Sequence, residues 1–235
     1  MSNENPILET KDLHRSFSLL KNQVEVLRGV NLQIHRGEAI SIMGASGAGK
    51  STLLHILGGL DRPTAGTVIF KNRDLYRMSA TRRTECRAHS FGFVFQAYHL
   101  LPELSIEDNV LLPVMHRLNW LQQATRYRAH ARELLQQVGL EDRATHRPME
   151  LSGGEQQRAS IARALISEPE IVFADEPTGN LDSHTGEQVL QHLFALTREQ
   201  GNTLILVTHN DAVAARCNRV VVMKDGQIET DQRSG

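Results

Sequence analysis

Cysteine is nearly missing from this chain: there are two among 235 residues, Cys86 and Cys217. That is too few for a disulfide framework, so both are expected as reduced thiols of the kind a cytosolic protein carries. Long hydrophobic runs are missing too, and no helix is expected to span a membrane. There is no basic excess: Lys+Arg number 26 and Asp+Glu 27, a net charge of -1. The overall electrostatic footprint of a nucleic-acid binder is therefore absent. Met1 to Pro6 has neither a basic start nor an apolar run, so a signal peptide is not expected. The 11 histidines include no His-x-x-x-His pair, and neither cysteine has a nearby partner, which argues against zinc. Repeats and low-complexity tracts are also missing. What remains is ordinary globular usage, 40% hydrophobic and 23% charged. A chain of this length suits one large domain, or one domain with an inserted lobe, and needs no staple.

Pattern divides the chain. Glu38 to Met43 reads as a buried strand, a glycine-rich turn follows, and Ser51 to Leu60 reads as a helix carrying Leu53, Leu54 and Leu57. Strand, glycine turn and helix open an α/β unit. Ile7–Leu13, Val24–Ile34 and Val68–Phe70 look like strands of mixed face, the last after the turn at Pro63 to Gly66. From about Ala97 to Arg158 the pattern turns helical and rich in Arg, Gln and His. Tyr127, Ala131, Leu134, Leu135 and Val138 recur at helical spacing, with Gly139 as a stop. This stretch is expected to be an inserted helical lobe, with Arg126, Arg128, Arg132 and Glu133 on its solvated face. The α/β pattern then resumes. Ile171–Ala174 and Thr203–Thr208 read as buried strands, and Val189, Leu190, Leu193 and Phe194 mark a helix that Gly201 ends. Asp225-Gly226 reads as a hairpin turn between Val220–Met223 and Ile228.

Three segments carry chemistry. Gly44-Ala45-Ser46-Gly47-Ala48-Gly49-Lys50-Ser51-Thr52 matches the phosphate-loop pattern G-x-x-x-x-G-K-[ST]. Its glycines turn backbone N–H groups around phosphates, and the following helix presents its positive end. Lys50 is expected on the β- and γ-phosphates and the Ser51 hydroxyl on Mg²⁺. Ile171 to Glu176 is an apolar strand ending in two carboxylates. Asp175 is the candidate Mg²⁺ residue, and Glu176 the candidate base that deprotonates an attacking water. Leu151-Ser152-Gly153-Gly154-Glu155 opens a helix expected over Gln156 to Ile166, giving a second anion site. A single phosphate loop has no need of a second anion site within its own pocket.

Together these residues resemble an ATP-binding-cassette (ABC) nucleotide-binding subunit, over nearly the whole chain. The resemblance implies a P-loop α/β fold with an N-terminal antiparallel β-lobe and an inserted helical lobe. It implies one ABC ATPase domain over 1–235, with core and β-lobe at 1–96 and 159–235 and the helical subdomain at 97–158. It implies that Ser152, Gly153 and Gly154 of one chain cap the ATP held by the phosphate loop of another, in a homodimer formed on ATP binding. By position, Gln96 in Phe93-Val94-Phe95-Gln96 matches the glutamine that contacts Mg²⁺ and water. His209 in Val207-Thr208-His209 matches the histidine on the γ-phosphate. Gly179-Asn180-Leu181-Asp182 matches the loop that crosses to the partner, and Phe17 stands where an aromatic stacks on adenine. The implied set is Glu176, His209 and Lys50 for catalysis, with Ser51, Gln96 and Asp175 for Mg²⁺.

Pro177-Thr178-Gly179-Asn180-Leu181-Asp182, Leu57-Gly58-Gly59-Leu60-Asp61-Arg62-Pro63-Thr64 and Gly92-Phe93-Val94-Phe95-Gln96 resemble the LolD/MacB group. That group implies a subunit on the cytoplasmic face of the inner or plasma membrane, bound through an integral permease and, across it, a periplasmic adaptor. The tasks implied are export, lipoprotein release or force transmission across the membrane. Arg147-Pro148-Met149-Glu150 before the signature, where many fused exporters carry Thr-Glu-Val-Gly-Glu-Arg-Gly, fits a permease on a separate polypeptide. A chromosome or repair ATPase would need a coiled coil between Lys50 and Ser152, and a translation-factor ATPase two cassettes. A regulatory ATPase of the FtsE type, signalling through a membrane partner without transport, is the alternative function.

Overall fold

The computed structural model describes residues 5–19, 22–117 and 120–233. In chain order the elements are β1 (Leu8–Leu19), β2 (Asn22–Ile34), β3 (Ala39–Met43), α1 (Lys50–Leu57), β4 (Ala65–Phe70) and β5 (Arg73–Asp74). Next come α2 (Ala80–Ser90), β6 (Phe91–Phe95), α3 (Ile106–Met115), α4 (Trp120–Gln137), α5 (Gly153–Leu165), β7 (Ile171–Asp175) and α6 (Ser183–Glu199). The last are β8 (Thr203–Val207), α7 (Asp211–Ala214), β9 (Arg219–Lys224) and β10 (Gln227–Arg233). The chain forms two compact units, Met1–Arg87 with Thr203–Gly235, and Ala88–Asn202.

The first unit holds two sheets. One is antiparallel, in the order β2-β1-β4-β5. Its inward face comes from alternation: Leu27, Val30, Leu32 and Ile34 of β2 are buried while the residues between them are not. The other sets β3 between β8 and β9, parallel to both, so that Ile42 lies beside Val207 on one side and Val221 on the other. All five residues of β8 are buried, as a strand covered on both faces requires. At the β9–β10 hairpin Asp225 and Gly226 both have positive φ, 49° and 80°, the geometry expected of an Asp-Gly turn. Helix α1 stops at Leu57, earlier than the expected Leu60, because Gly58 caps it and Gly59 turns left-handed at φ 70°.

In the second unit β6 and β7 pair in parallel, from Phe91 beside Ile171 to Phe95 beside Asp175. Phe173 is fully buried, with Phe91 edge-on at 5.2 Å and Phe93 stacked at 5.3 Å. Helix α5 packs against α3, α4, α6 and β6. Its buried side is lined by small residues, among them Gly154, Ala159, Ser160, Ala162 and Ala164, which permits close approach from several directions. In α4, Tyr127, Ala131, Leu134 and Leu135 face inward as their spacing predicts, and Gly139 ends the segment at φ 68°.

Two further features depart from the sequence reading. Helix α2 has no apolar stripe, and among its residues only Arg83 is buried, so hydrophobic period could not reveal it. Arg128 and Arg132 do not simply stand in solvent: both hold Glu107, at 2.9 and 3.1 Å. Glu107 keeps only 8% of its side chain exposed, and a carboxylate so buried requires paired cations.

Candidate phosphate-binding and hydrolytic site

The first unit carries the phosphate loop. It leaves β3, which is apolar and buried, and enters α1 through Gly49, whose positive φ and missing side chain leave the helix with no side-chain cap. The N-caps of α3, α5, α6 and α7 (Ser105, Ser152, Asp182 and Asn210) all use side-chain oxygens instead. The first turn of α1 thus has no side-chain cap, and its N–H groups face the position where an uncapped helix start favours an anion. Glycine is obligatory at Gly44: φ is 145°, and a Cβ there would lie 2.2 Å from the carbonyl oxygen of Met223 in β9. Lys50 is 8% exposed, and its Nζ donates to the carbonyls of Gly44 at 2.9 Å and Ala45 at 3.0 Å. The ammonium is therefore held against the loop it serves. Ser51 and Thr52 are half-buried in the first turn of α1, and Ala45, Ser46 and Gly47 are exposed.

His209 is exposed just past β8, in the same unit. The parallel register of β8 with β3, and the bond from Thr208 N to Ile42 O at 3.3 Å, bring His209 and the phosphate loop out of the same ends of two adjacent strands. Carboxyl ends of parallel strands are where α/β proteins bind ligands. Phe17 lies on β1 opposite Val24 and is half-buried. The Arg15 guanidinium covers it, 4.2 Å from the ring centroid, and is itself paired with Asp61 at 2.9 Å.

The second unit carries the carboxylates, Gln96 and the signature. The register of Phe95 beside Asp175 places Gln96 and Glu176 at adjacent strand ends. Glu176 has φ 46°, a left-handed conformation that costs a non-glycine residue about 1–2 kcal/mol. That turn redirects the chain as it leaves β7, and such cost concentrates at functional sites. Gln96 is exposed and tied to Asn180 reciprocally: Gln96 Nε2 donates to Asn180 Oδ1 at 3.0 Å, and Asn180 Nδ2 donates to Gln96 O at 3.0 Å. Gly179 lies so close beneath that a Cβ on it would stand 2.7 Å from Gln96 Nε2. Asp182 caps α6, accepting from His184 N at 3.1 Å and Thr185 N at 3.0 Å, and these N–H groups hold its carboxyl below the usual range.

Ser152 caps α5 in a reciprocal box with Glu155. Its Oγ donates to Glu155 Oε2 at 2.7 Å, and its N donates to the same oxygen at 2.8 Å. The Ser152 hydroxyl, then its backbone N–H, holds the Glu155 carboxyl below its ordinary value. Gly153 and Gly154 form the first turn, Gly153 against the Tyr98 hydroxyl. Sequence reasoning noted Gln156-Gln157-Arg158 after the Ser-Gly-Gly turn but gave Gln157 no role, and it missed Ser160 and Arg163, which frame this region with it. The signal available was a buried-phase glutamine among the alanines and Ile161 of α5.

The sequence profile described as ABC transporter matches residues 27–179. The chain belongs to the ABC transporter family. It is 49% identical over 224 residues to the Shigella flexneri protein named "Macrolide export ATP-binding/permease protein MacB", covering 95% of this chain and 34% of that one. It is 48% identical over 225 residues to the Geobacter metallireducens protein named "Lipoprotein-releasing system ATP-binding protein LolD", covering 96% and 99%. This cassette thus spans about a third of the MacB relative and nearly all of the LolD relative. Among solved structures it resembles the dimeric bacterial ABC transporter cassette MJ0796, with TM-score 0.90 and 40% identity over 97% of this chain and 99% of that one. MJ0796 has also been seen as a post-hydrolysis dimer bound to ADP and Pi, with TM-score 0.89 and 40% identity over the same shares. The expected ABC ATPase fold, with its antiparallel β-lobe and helical lobe, is therefore the fold this chain has.

Proposed function

We propose that this ABC ATPase cassette hydrolyses ATP between two copies of itself and passes the resulting motion to an integral membrane subunit. The observation that carries the reading is the strand register that sets Gln96 and Glu176 side by side, with Asn180 locking Gln96 in place. Lys50 and the loop amides offset charge on the transferring phosphoryl group. Glu176 accepts a proton from water as it attacks in line. His209 donates to the γ-phosphate, and Ser152, Gly153 and Gly154 of the second copy close over it. Phe17 stacks on adenine with the face that Arg15 does not cover.

The proposed cation donors are the Ser51 hydroxyl, the Gln96 carbonyl and the Asp175 carboxylate. All three are oxygens, which suits a hard ion such as Mg²⁺. With its Nε2 committed to Asn180, Gln96 has Oε1 as the atom able to face a cation. Mg²⁺ held there would offset negative charge on the phosphates.

Among the described residues no helix is long and apolar enough to cross a membrane. The segment 97–158 is proposed as the lobe that meets the permease, on the cytoplasmic face, with any periplasmic adaptor reached through that permease. The LolD and MacB likeness supports lipoprotein release or export as the task. Glu176→Gln tests the reading: hydrolysis falls by about 10² while ATP binding persists and the ATP-bound dimer accumulates. Hydrolysis at the parent rate would overturn the assignment of the base.

A further inference from the structure

Helix α5 carries an amide that neither the phosphate loop nor the signature accounts for. Gln157 is fully buried, with 0% exposure. Its Nε2 donates to two backbone carbonyls on different segments, Phe95 O at 3.1 Å and Pro177 O at 2.6 Å. Phe95 immediately precedes Gln96, and Pro177 immediately follows Glu176. Its Oε1 accepts from Ser160 Oγ, also buried, at 3.1 Å. The two carbonyls orient the amide, because a carbonyl oxygen only accepts and so both must face Nε2; the single Ser160 proton is shared between Oε1 and the nearer Gln157 O at 2.9 Å.

We propose that Gln157 is a positioning residue for hydrolysis, fixing from the signature helix the backbone that carries Gln96 and Glu176. The proposal rests on the roles given above to those two residues. Pairing of β6 with β7 ends at Phe95 and Asp175, so beyond that point the ladder no longer sets the spacing of the two chains. Gln157 takes over there with one side chain bonded to both. The same helix is capped by Ser152, five residues earlier, and its Arg163 donates to Tyr98 O at 2.7 Å and to His99 O at 2.5 Å. Signature serine, glutamine and carboxylate are thus joined to one hydrogen-bonded frame. Buried amides that are fully satisfied in this way specify one arrangement strongly, because any other leaves polar groups unpaired.

The test is steady-state ATP hydrolysis by Gln157→Leu and Gln157→Glu, each also made in a Gln96→Ala background. In the parent background kcat falls by about 10–10², the loss that sub-ångström to ångström misplacement brings, with KM for ATP within about twofold. In the Gln96→Ala background Gln157→Leu lowers kcat by a clearly smaller factor than in the parent, because one of the two residues through which it acts is gone and only the Glu176 side remains to be misplaced. A general loss of structure would lower kcat by the same factor in both backgrounds, and that result overturns the proposal. If the leucine variant does not fold, Gln157→Glu keeps the side-chain shape and removes the two donors, and kcat still falls severalfold with KM unchanged. A parent kcat in Gln157→Glu refutes the proposal. If Gln96→Ala itself hydrolyses ATP at the parent rate, the site reading fails; a normal Gln157 variant beside a crippled Gln96→Ala fails this inference alone.

Discussion

Gly179→Ala isolates position from chemistry, since it adds one methyl and touches no reacting group. Gly179 is not among the positive-φ residues, so its backbone accepts alanine. The new Cβ would lie 2.7 Å from Gln96 Nε2 and 2.9 Å from its Cδ, whereas ordinary contact begins at 3.4 Å. The amide must therefore move by about 0.7 Å, enough to break its 3.0 Å bond to Asn180. Losing one such bond costs about 1 kcal/mol, and the glycine-to-alanine change returns about 0.4–1 kcal/mol through the unfolded chain. Stability is then nearly unchanged, and the melting temperature stays within about 4 °C of the parent. Catalysis is less forgiving: misplacement by about 1 Å can cost 10²-fold, so kcat should drop by about 10–10². Thermal melts, nucleotide binding and ATP turnover on the same preparation separate these effects. A variant that melts normally, binds ATP and turns it over at the parent rate would refute the idea that Gln96 must sit where Asn180 holds it. A variant that unfolds would show instead that the 177–180 loop is packed more tightly than the contact distances imply.

Mixing a Lys50→Ala chain with a Ser152→Arg chain places both defects in one composite site and leaves the other whole, so two inactive proteins should recover part of the ATPase. No recovery would point to sites contained within one chain or to strict coupling of the two. Leu101 is 46% exposed, and Leu104 is half-buried beside it. Leu101→Glu or Leu104→Glu should leave the isolated ATPase near normal while abolishing co-purification with the membrane partner, and retained assembly would exclude this segment as the docking site. The depressed Glu155 carboxyl stabilises the fold at pH above its ordinary value of 4.5, and that contribution is lost as pH falls through its lower folded value. The melting-temperature gap between parent and Glu155→Gln should accordingly be constant near neutrality and close in acid; a gap independent of pH would show that the cap is not ionic.

The phosphate loop, the carboxylates after β7 and the Ser-Gly-Gly turn were legible in the sequence because each is contiguous, and local backbone geometry demands those residue types in that order. Gly44 illustrates this: its φ of 145° admits little but glycine. Strands β3, β7 and β8 were legible for a related reason, since burial on both faces writes an unbroken apolar run. Helix α2 was not, because a helix with one buried arginine leaves no periodic trace. The expectation for Arg128 and Arg132 missed Glu107, since a charge on α4 gives no sign of a buried carboxylate on α3. Asn180 was read as part of a loop, yet its bonds to Gln96 span 84 residues of chain. The Gln157 clamp spans 62 residues to Phe95 and 20 to Pro177. What the sequence determined by itself is the chemistry, which needs only neighbours along the chain. Which amide holds which carbonyl was decided by tertiary structure alone, because a buried hydrogen bond depends on where segments distant in sequence are packed together.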